Sequence, residues 1–174
     1  MLARAGYKVQ GSDISAAMLE VAHKNLMALR QNIPLRQCDF RYLEQAFKET
    51  FDAVVCLTSA LPHLHTDEDL LLALRSMKNR LNKNGLLVFT QGTTHYTLGL
   101  PPIEVVVNRR DFARVFVKEQ DGRFQTIHVL DLFHSKERQS SSQHDIVDRM
   151  LLDDDYRKLL SKAGFKNISV YGDY

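Results

Sequence analysis

Apolar positions change their spacing twice along the chain. Over residues 7–90, short apolar runs alternate with stretches where apolar residues return every three or four positions. Over residues 104–152 they alternate with polar neighbours, and helical spacing resumes at Tyr156. A spacing near 3.6 predicts helices and a spacing of two predicts half-buried strands. Residues 7–11 read as a strand. Ser15 then caps a helix whose Leu19, Ala22, Leu26 and Leu29 share one face. After Pro34, residues 35–38 read as a second strand that ends on Asp39 and Phe40. Residues 51–57 are almost wholly apolar after Asp52, which predicts a parallel strand covered on both faces. Thr66 with Asp69 opens a helix carrying Leu70, Leu74, Met77 and Leu81. Asn84 and Gly85 stop it, and residues 86–90 form a fourth strand.

Beyond Gly92 the helical signals lapse. Residues 104–107, 111–119, 123–134 and 143–152 predict antiparallel strands, with a hairpin turn at Asp121-Gly122 and a flexible break at 140–142. Asp153, Asp154 and Asp155 suit a helix N-terminus. Tyr156, Leu159, Leu160 and Ala163 continue that helix, Gly164 ends it, and residues 166–171 read as a last strand. Alternating strands and helices with short connections predict an α/β fold, a doubly wound and mostly parallel sheet. The chain of 174 residues suits one domain over 1–174, with 93–152 inserted as an antiparallel lid.

Composition narrows the partners. The 44% hydrophobic and 25% charged residues are ordinary for a globular protein. No apolar run spans the roughly 20 residues that cross a bilayer, and no secretory leader pattern opens the chain, so a cytoplasmic protein without a membrane partner is expected. The 23 basic and 21 acidic residues leave a net charge of +2, too balanced for bulk attraction to nucleic acid. Arg109-Arg110 and residues 136–138 are the dense basic points and read as solvated surface. Cys38 and Cys56 have neither zinc nor redox spacing and read as unbridged apolar residues.

Candidate chemistry lies at the carboxyl ends of the parallel strands, where open α/β sheets bind ligands. Asp13 follows the first strand, Asp39 the second, and Leu57, Thr58 and Ser59 the third. A carboxylate there can accept hydrogen bonds from ribose hydroxyls or an adenine amine, and it can equally serve as a helix cap. Ile14 and Phe40 would supply apolar faces to a purine. His63 and His65 lack a third ligand at metal spacing, so no metal is expected. His128 and His134 share a strand face with Leu130 and Leu132, while Asp131 lies on the other; one face could line a substrate cavity near Arg114 or Tyr96.

Residues 6–19, from Gly6 through Asp13 to Leu19, resemble the second-strand motif of class I S-adenosylmethionine-dependent methyltransferases. Cys38-Asp39-Phe40 resembles their third-strand adenine motif. Residues 51–64 resemble the fourth strand and the loop after it. Residues 81–89 and Ala163-Gly164-Phe165 are similar to the steps into the fifth and sixth strands. The resemblance implies a Rossmann-like sheet with the antiparallel insertion after the fifth family strand. It also implies that Asp13 binds ribose, that Ile14 lies on adenine and that Asp39 reaches the adenine amine. Phe40, Leu57, Thr58 and Ser59 would complete the cofactor's surroundings. The family's first strand, its glycine-rich loop and its last strand have no counterpart within these residues, so the fold is expected to be incomplete at both ends. Such a chain is expected to hold S-adenosylmethionine weakly when alone.

The expected function is methyl transfer from S-adenosylmethionine to a small-molecule acceptor, with His63 as the candidate catalytic group. A nicotinamide dehydrogenase fragment and a non-catalytic Rossmann-like binding domain are the competing readings.

Overall fold

A computed structural model describes residues 1–136 and 139–172. Strand β1 (Gly11–Asp13) leads into helix α1 (Ala16–Ala28) and returns as β2 (Leu35–Gln37), parallel to β1. Strand β3 (Phe51–Cys56), helix α2 (Asp67–Asn79) and strand β4 (Leu81–Phe89) repeat that unit. The two strand pairs are separate two-stranded sheets, and among the described residues neither β1 nor β3 has a partner on its other edge. A short helix α3 (His95–Leu98) then precedes β5 (Ile103–Asn108), β6 (Phe112–Asp121), β7 (Phe124–His134) and β8 (Gln139–Arg149), an antiparallel sheet in that order. Helix α4 (Asp153–Lys162) follows.

The expected caps form. The Ser15 Oγ accepts from the Met18 backbone N–H and the Thr66 Oγ1 from that of Asp69, each supplying a partner to an open first turn. Gly122 turns the β6–β7 hairpin at φ +58°, and Gly164 ends α4 at φ +89°, in the left-handed region.

The hydrophobic core sits on one side of the β3–β4 pair. Leu70, Ala73, Leu74 and Met77 of α2 pack with Tyr156, Leu159 and Leu160 of α4. Leu43 and Phe47, around the 3-10 turn Phe40–Gln45, close that core, and Val54, Cys56, Leu87 and Phe89 face it from the sheet.

Several expectations fail, each for a physical reason. The first strand forms at Gly11–Asp13 rather than 7–11, because only there does β2 offer a ladder; the Gly11 N–H donates to the Pro34 carbonyl at 2.9 Å. Strand β3 is covered on one face only, leaving Val55 and Leu57 exposed beside Leu86 and Val88 of β4. Helix α2 ends at Asn79, and Leu81 already pairs with Phe51. Residues 82–85 then bulge out, with Asn84 at φ +65°, before Leu86 meets Ala53. Residues 140–142 are no break, since Ser140, Ser141 and Ser142 pair in register with Phe133, Leu132 and Asp131. Residues 166–171 are not a strand; an isolated extended segment without a neighbour has no ladder to join. The basic point at 136–138 lies partly outside the described residues.

Candidate functional site

The parallel pairing of β1 with β2 brings two acidic residues to the ends of neighbouring strands. Beyond the last paired residues, the Cys38 N–H donates to the Asp13 carbonyl at 3.0 Å, so Asp39 follows on the strand adjacent to Asp13. The Asp13 Oδ1 accepts from the Ser15 N–H at 2.8 Å and thereby steadies the turn into α1. Its Oδ2 has no hydrogen-bond partner among the described residues. Ile14 is 63% exposed, and its carbonyl accepts from the Gln37 side chain at 3.0 Å.

Asp39 is more heavily engaged. Its Oδ1 accepts from the Arg41 N–H at 2.9 Å, and the Arg41 guanidinium reaches Oδ2 through Nε at 2.9 Å and Nη2 at 2.6 Å. The Arg41 Nη1 continues to the Asp69 Oδ1 at 2.7 Å, in the first turn of α2. The guanidinium beside it holds the Asp39 carboxyl below the usual carboxylate range. Two carboxylates in turn keep Arg41 firmly protonated. Phe40 turns inward and packs on the core.

At the carboxyl end of β3, Thr58 and Ser59 adopt φ of +63° and +56° in succession. Left-handed backbone at two residues with Cβ atoms costs of order 1–3 kcal/mol each and concentrates at binding and catalytic positions. Neighbouring groups hold this corner. The Thr58 N–H donates to the Thr90 Oγ1 at 2.9 Å, and the Thr90 N–H to the Cys56 carbonyl at 3.2 Å. Leu57 is exposed here and Ser59 half-buried.

The 3-10 turn Leu61–His63 carries the chain from that corner to the antiparallel sheet. The His63 Nδ1 lies 3.0 Å from the Asp148 Oδ1, close but not aligned as a hydrogen bond, with the imidazole half-exposed and the carboxylate four-fifths covered. Burial pushes the Asp148 carboxyl above its ordinary range, and the charges of His63 and His65 partly oppose this. The His65 Nε2 lies 3.0 Å from the Val147 carbonyl, and its ring meets the edge of Phe124. These contacts bring the β7–β8 end of the antiparallel sheet onto the segment that follows β3.

The other candidates pair with neighbouring groups or stand in solvent. Arg114 pairs with Asp131 through two 2.7 Å hydrogen bonds, on the face opposite His128. His128 is paired with Asp145 at 2.7 Å, the His134 Nε2 lies 3.2 Å from the Arg109 carbonyl, and Tyr96 stands in solvent. Cys38 and Cys56 are both free thiols, pushed up chiefly by burial. Among the described residues no three His, Cys, Asp or Glu side chains could hold a metal ion, and no helix is long and apolar enough to cross a membrane.

Sequence reasoning missed Arg41, Asp148 and Arg149. For the last two a signal existed: consecutive charged residues inside a strand-forming run must point to opposite faces, so both faces there carry charge. Arg41 stands two residues after Asp39, the spacing at which a side chain can fold back on its neighbour.

A family described as "Methyltransferase domain" matches residues 1–85. A glycine/sarcosine N-methyltransferase of Aphanothece halophytica is 26% identical over 184 aligned residues, covering 99% of this chain and 63% of that protein. The glycine/sarcosine N-methyltransferase of Parasynechococcus marenigrum is 29% identical over 172, covering 97% and 59%. The chain thus spans about three-fifths of the length of these relatives. Among solved structures, the CcbJ methyltransferase of Streptomyces caelestis superposes with a TM-score of 0.81 at 16% identity, over 94% of this chain and 66% of that one. An amino pentose methyltransferase of Micromonospora echinaspora, solved with S-adenosylmethionine bound, gives 0.75 at 23% identity, over 90% and 65%.

Proposed function

We propose that the chain is a class I S-adenosylmethionine-dependent methyltransferase domain, a reading supported by the methyltransferase family match over residues 1–85 and by the N-methyltransferase relatives, and that it methylates the amino nitrogen of a small acceptor. The bound cofactor would supply an electrophilic methyl group on sulfonium sulfur.

The adenosine half fits the residues present. Asp13 offers a carboxylate oxygen that no described residue pairs, suited to a ribose hydroxyl. Ile14 offers an exposed apolar surface beside it for the purine. Asp39 keeps lone pairs for the adenine amine, but Arg41 already neutralises much of its charge, so its share of the binding is smaller than that of Asp13. Leu57, Thr58 and Ser59, at the carboxyl end of β3, would complete the cofactor's surroundings, with the Thr58 N–H held by the Thr90 hydroxyl. The observation that carries the reading is the β1–β2 register, which brings Asp13 and Asp39 to neighbouring strand ends.

For the acceptor, the reading rests on His63 and Asp148 and on the N-methyltransferase relatives. An ammonium nitrogen has no lone pair, so a proton must leave before the new N–C bond forms as the S–C bond breaks. The His63 Nε2 would take that proton, with the Asp148 carboxylate 3.0 Å from Nδ1 on the other side of the ring. The antiparallel sheet would act as a lid that excludes water from the acceptor. The methyltransferase likenesses favour this reading over the nicotinamide one.

The test is methyl transfer from labelled S-adenosylmethionine to glycine, sarcosine and non-amine controls. Label in the amine, with His63→Ala lowering kcat about 10²-fold or more and flattening its pH dependence, supports the proposal. Label only in hydroxyl acceptors, or an unchanged His63→Ala rate, contradicts it.

A further inference from the structure

One cavity is lined by neither Asp13 nor His63. It encloses about 190 Å³ between Asp67 at the start of α2, Arg123 in the β6–β7 turn, Arg149 at the end of β8, and Asp155, Lys158 and Lys162 on α4. Four of these side chains are cationic and two anionic. The Arg149 side chain is only 6% exposed. Its Nη2 bonds the Asp67 Oδ1 at 2.5 Å, while its Nη1 is buried with no hydrogen-bond partner among the described residues. A buried guanidinium donor left unpaired is costly, and its natural complement is an anion. The Asp155 Oδ2 is already taken by the Leu152 N–H at 3.2 Å. Arg123, Lys158 and Lys162 form no ion pair among the described residues, and Lys158 and Lys162 stand one turn apart on α4. Asp67 registers this field: the Arg149 hydrogen bond first, then the charges of Arg149, Lys162 and Arg123, hold its carboxyl below the ordinary range.

We propose that this cavity binds a phosphate dianion, free or as the monoester group of a small metabolite. Three oxygens and two negative charges match a cluster of two guanidinium and two ammonium groups better than a monoanionic carboxylate does. The site joins the antiparallel sheet, through Arg123 and Arg149, to α2 and α4. An anion bound there would tie the proposed lid to the helical core and stabilise the folded chain by mass action. It shares no residue with the proposed methyl-transfer site, so either can fail without the other.

The test is calorimetric and thermal titration of the chain with inorganic phosphate, glycerol 3-phosphate and, at matched ionic strength, chloride. The expected result is a saturable heat and a rise in Tm with either phosphate compound, the tighter of the two identifying the source, and neither response in chloride. The surface variant Lys158→Ala/Lys162→Ala, which leaves the buried Arg149–Asp67 pair in place, should bind about tenfold more weakly or worse, and Lys158→Arg/Lys162→Arg should restore binding. The absence of a saturable response, an equal response to chloride, or unchanged affinity in the double alanine variant would overturn the proposal.

Discussion

The β1–α1–β2 and β3–α2–β4 units share one local design and differ in burial. Each has two parallel strands and a 13-residue helix entered through a hydroxyl cap. Yet α1 has no buried residue, whereas α2 buries Leu70, Ala73, Leu74, Ser76 and Met77. Strands of six and nine residues, the turn at 40–45 and helix α4 surround α2. Among the described residues helix α1 rests chiefly on two strands of three residues. Caps and periodicity therefore decide where a helix forms, and its neighbours decide what it contributes to stability. The proposed ribose contact, Asp13, stands on the unit with the smaller core, and the Asp39–Arg41–Asp69 chain ties that unit to α2.

The widest gap between the units should appear in core truncation. Leu74→Ala, at a fully buried site, should cost about 2–5 kcal/mol in urea denaturation. Leu26→Ala, on the half-buried face of α1, should cost under about 1 kcal/mol. Equal costs would break the comparison. The caps sharpen it: Thr66→Ala and Ser15→Ala should each lose about 1 kcal/mol of helix stability. In Thr66→Ala the loss should lower the global transition. In Ser15→Ala it should surface as faster amide exchange confined to α1. The smallest effect concerns the tie between units. The folded pKa of Asp39 lies below its unfolded value, so its contribution is present above the unfolded value and disappears as pH falls through the folded one. Asp39→Asn should therefore lower stability at neutral pH and converge with the parent in acid. A gap that persisted in acid would place the loss elsewhere than in the Asp39 charge.

Much of this was legible from residue spacing. Ser15, Thr66, Asp121-Gly122 and Gly164 name their turns and caps, because those signals act within a few residues. The run at residues 51–57 predicts a strand correctly but misjudges its second face, since coverage depends on elements far along the chain. Residues 166–171 have strand composition and no ladder, which only a neighbour can supply. The positions of Asp13 and Asp39 followed from the strand ends. The Arg41 clamp and the Asp148 neighbour of His63 did not, because each depends on side-chain direction or on packing between distant segments.

The central claim is that adenosine is held where β1 and β2 end. Titration of the isotope-labelled chain with S-adenosylhomocysteine, followed by amide chemical shifts, tests it even where affinity is weak. The account predicts shifts grouped at residues 11–15, 38–41 and 57–60, largely abolished by Asp13→Ala and only reduced by Asp39→Ala. Shifts that cluster elsewhere, or that survive Asp13→Ala unchanged, would contradict it.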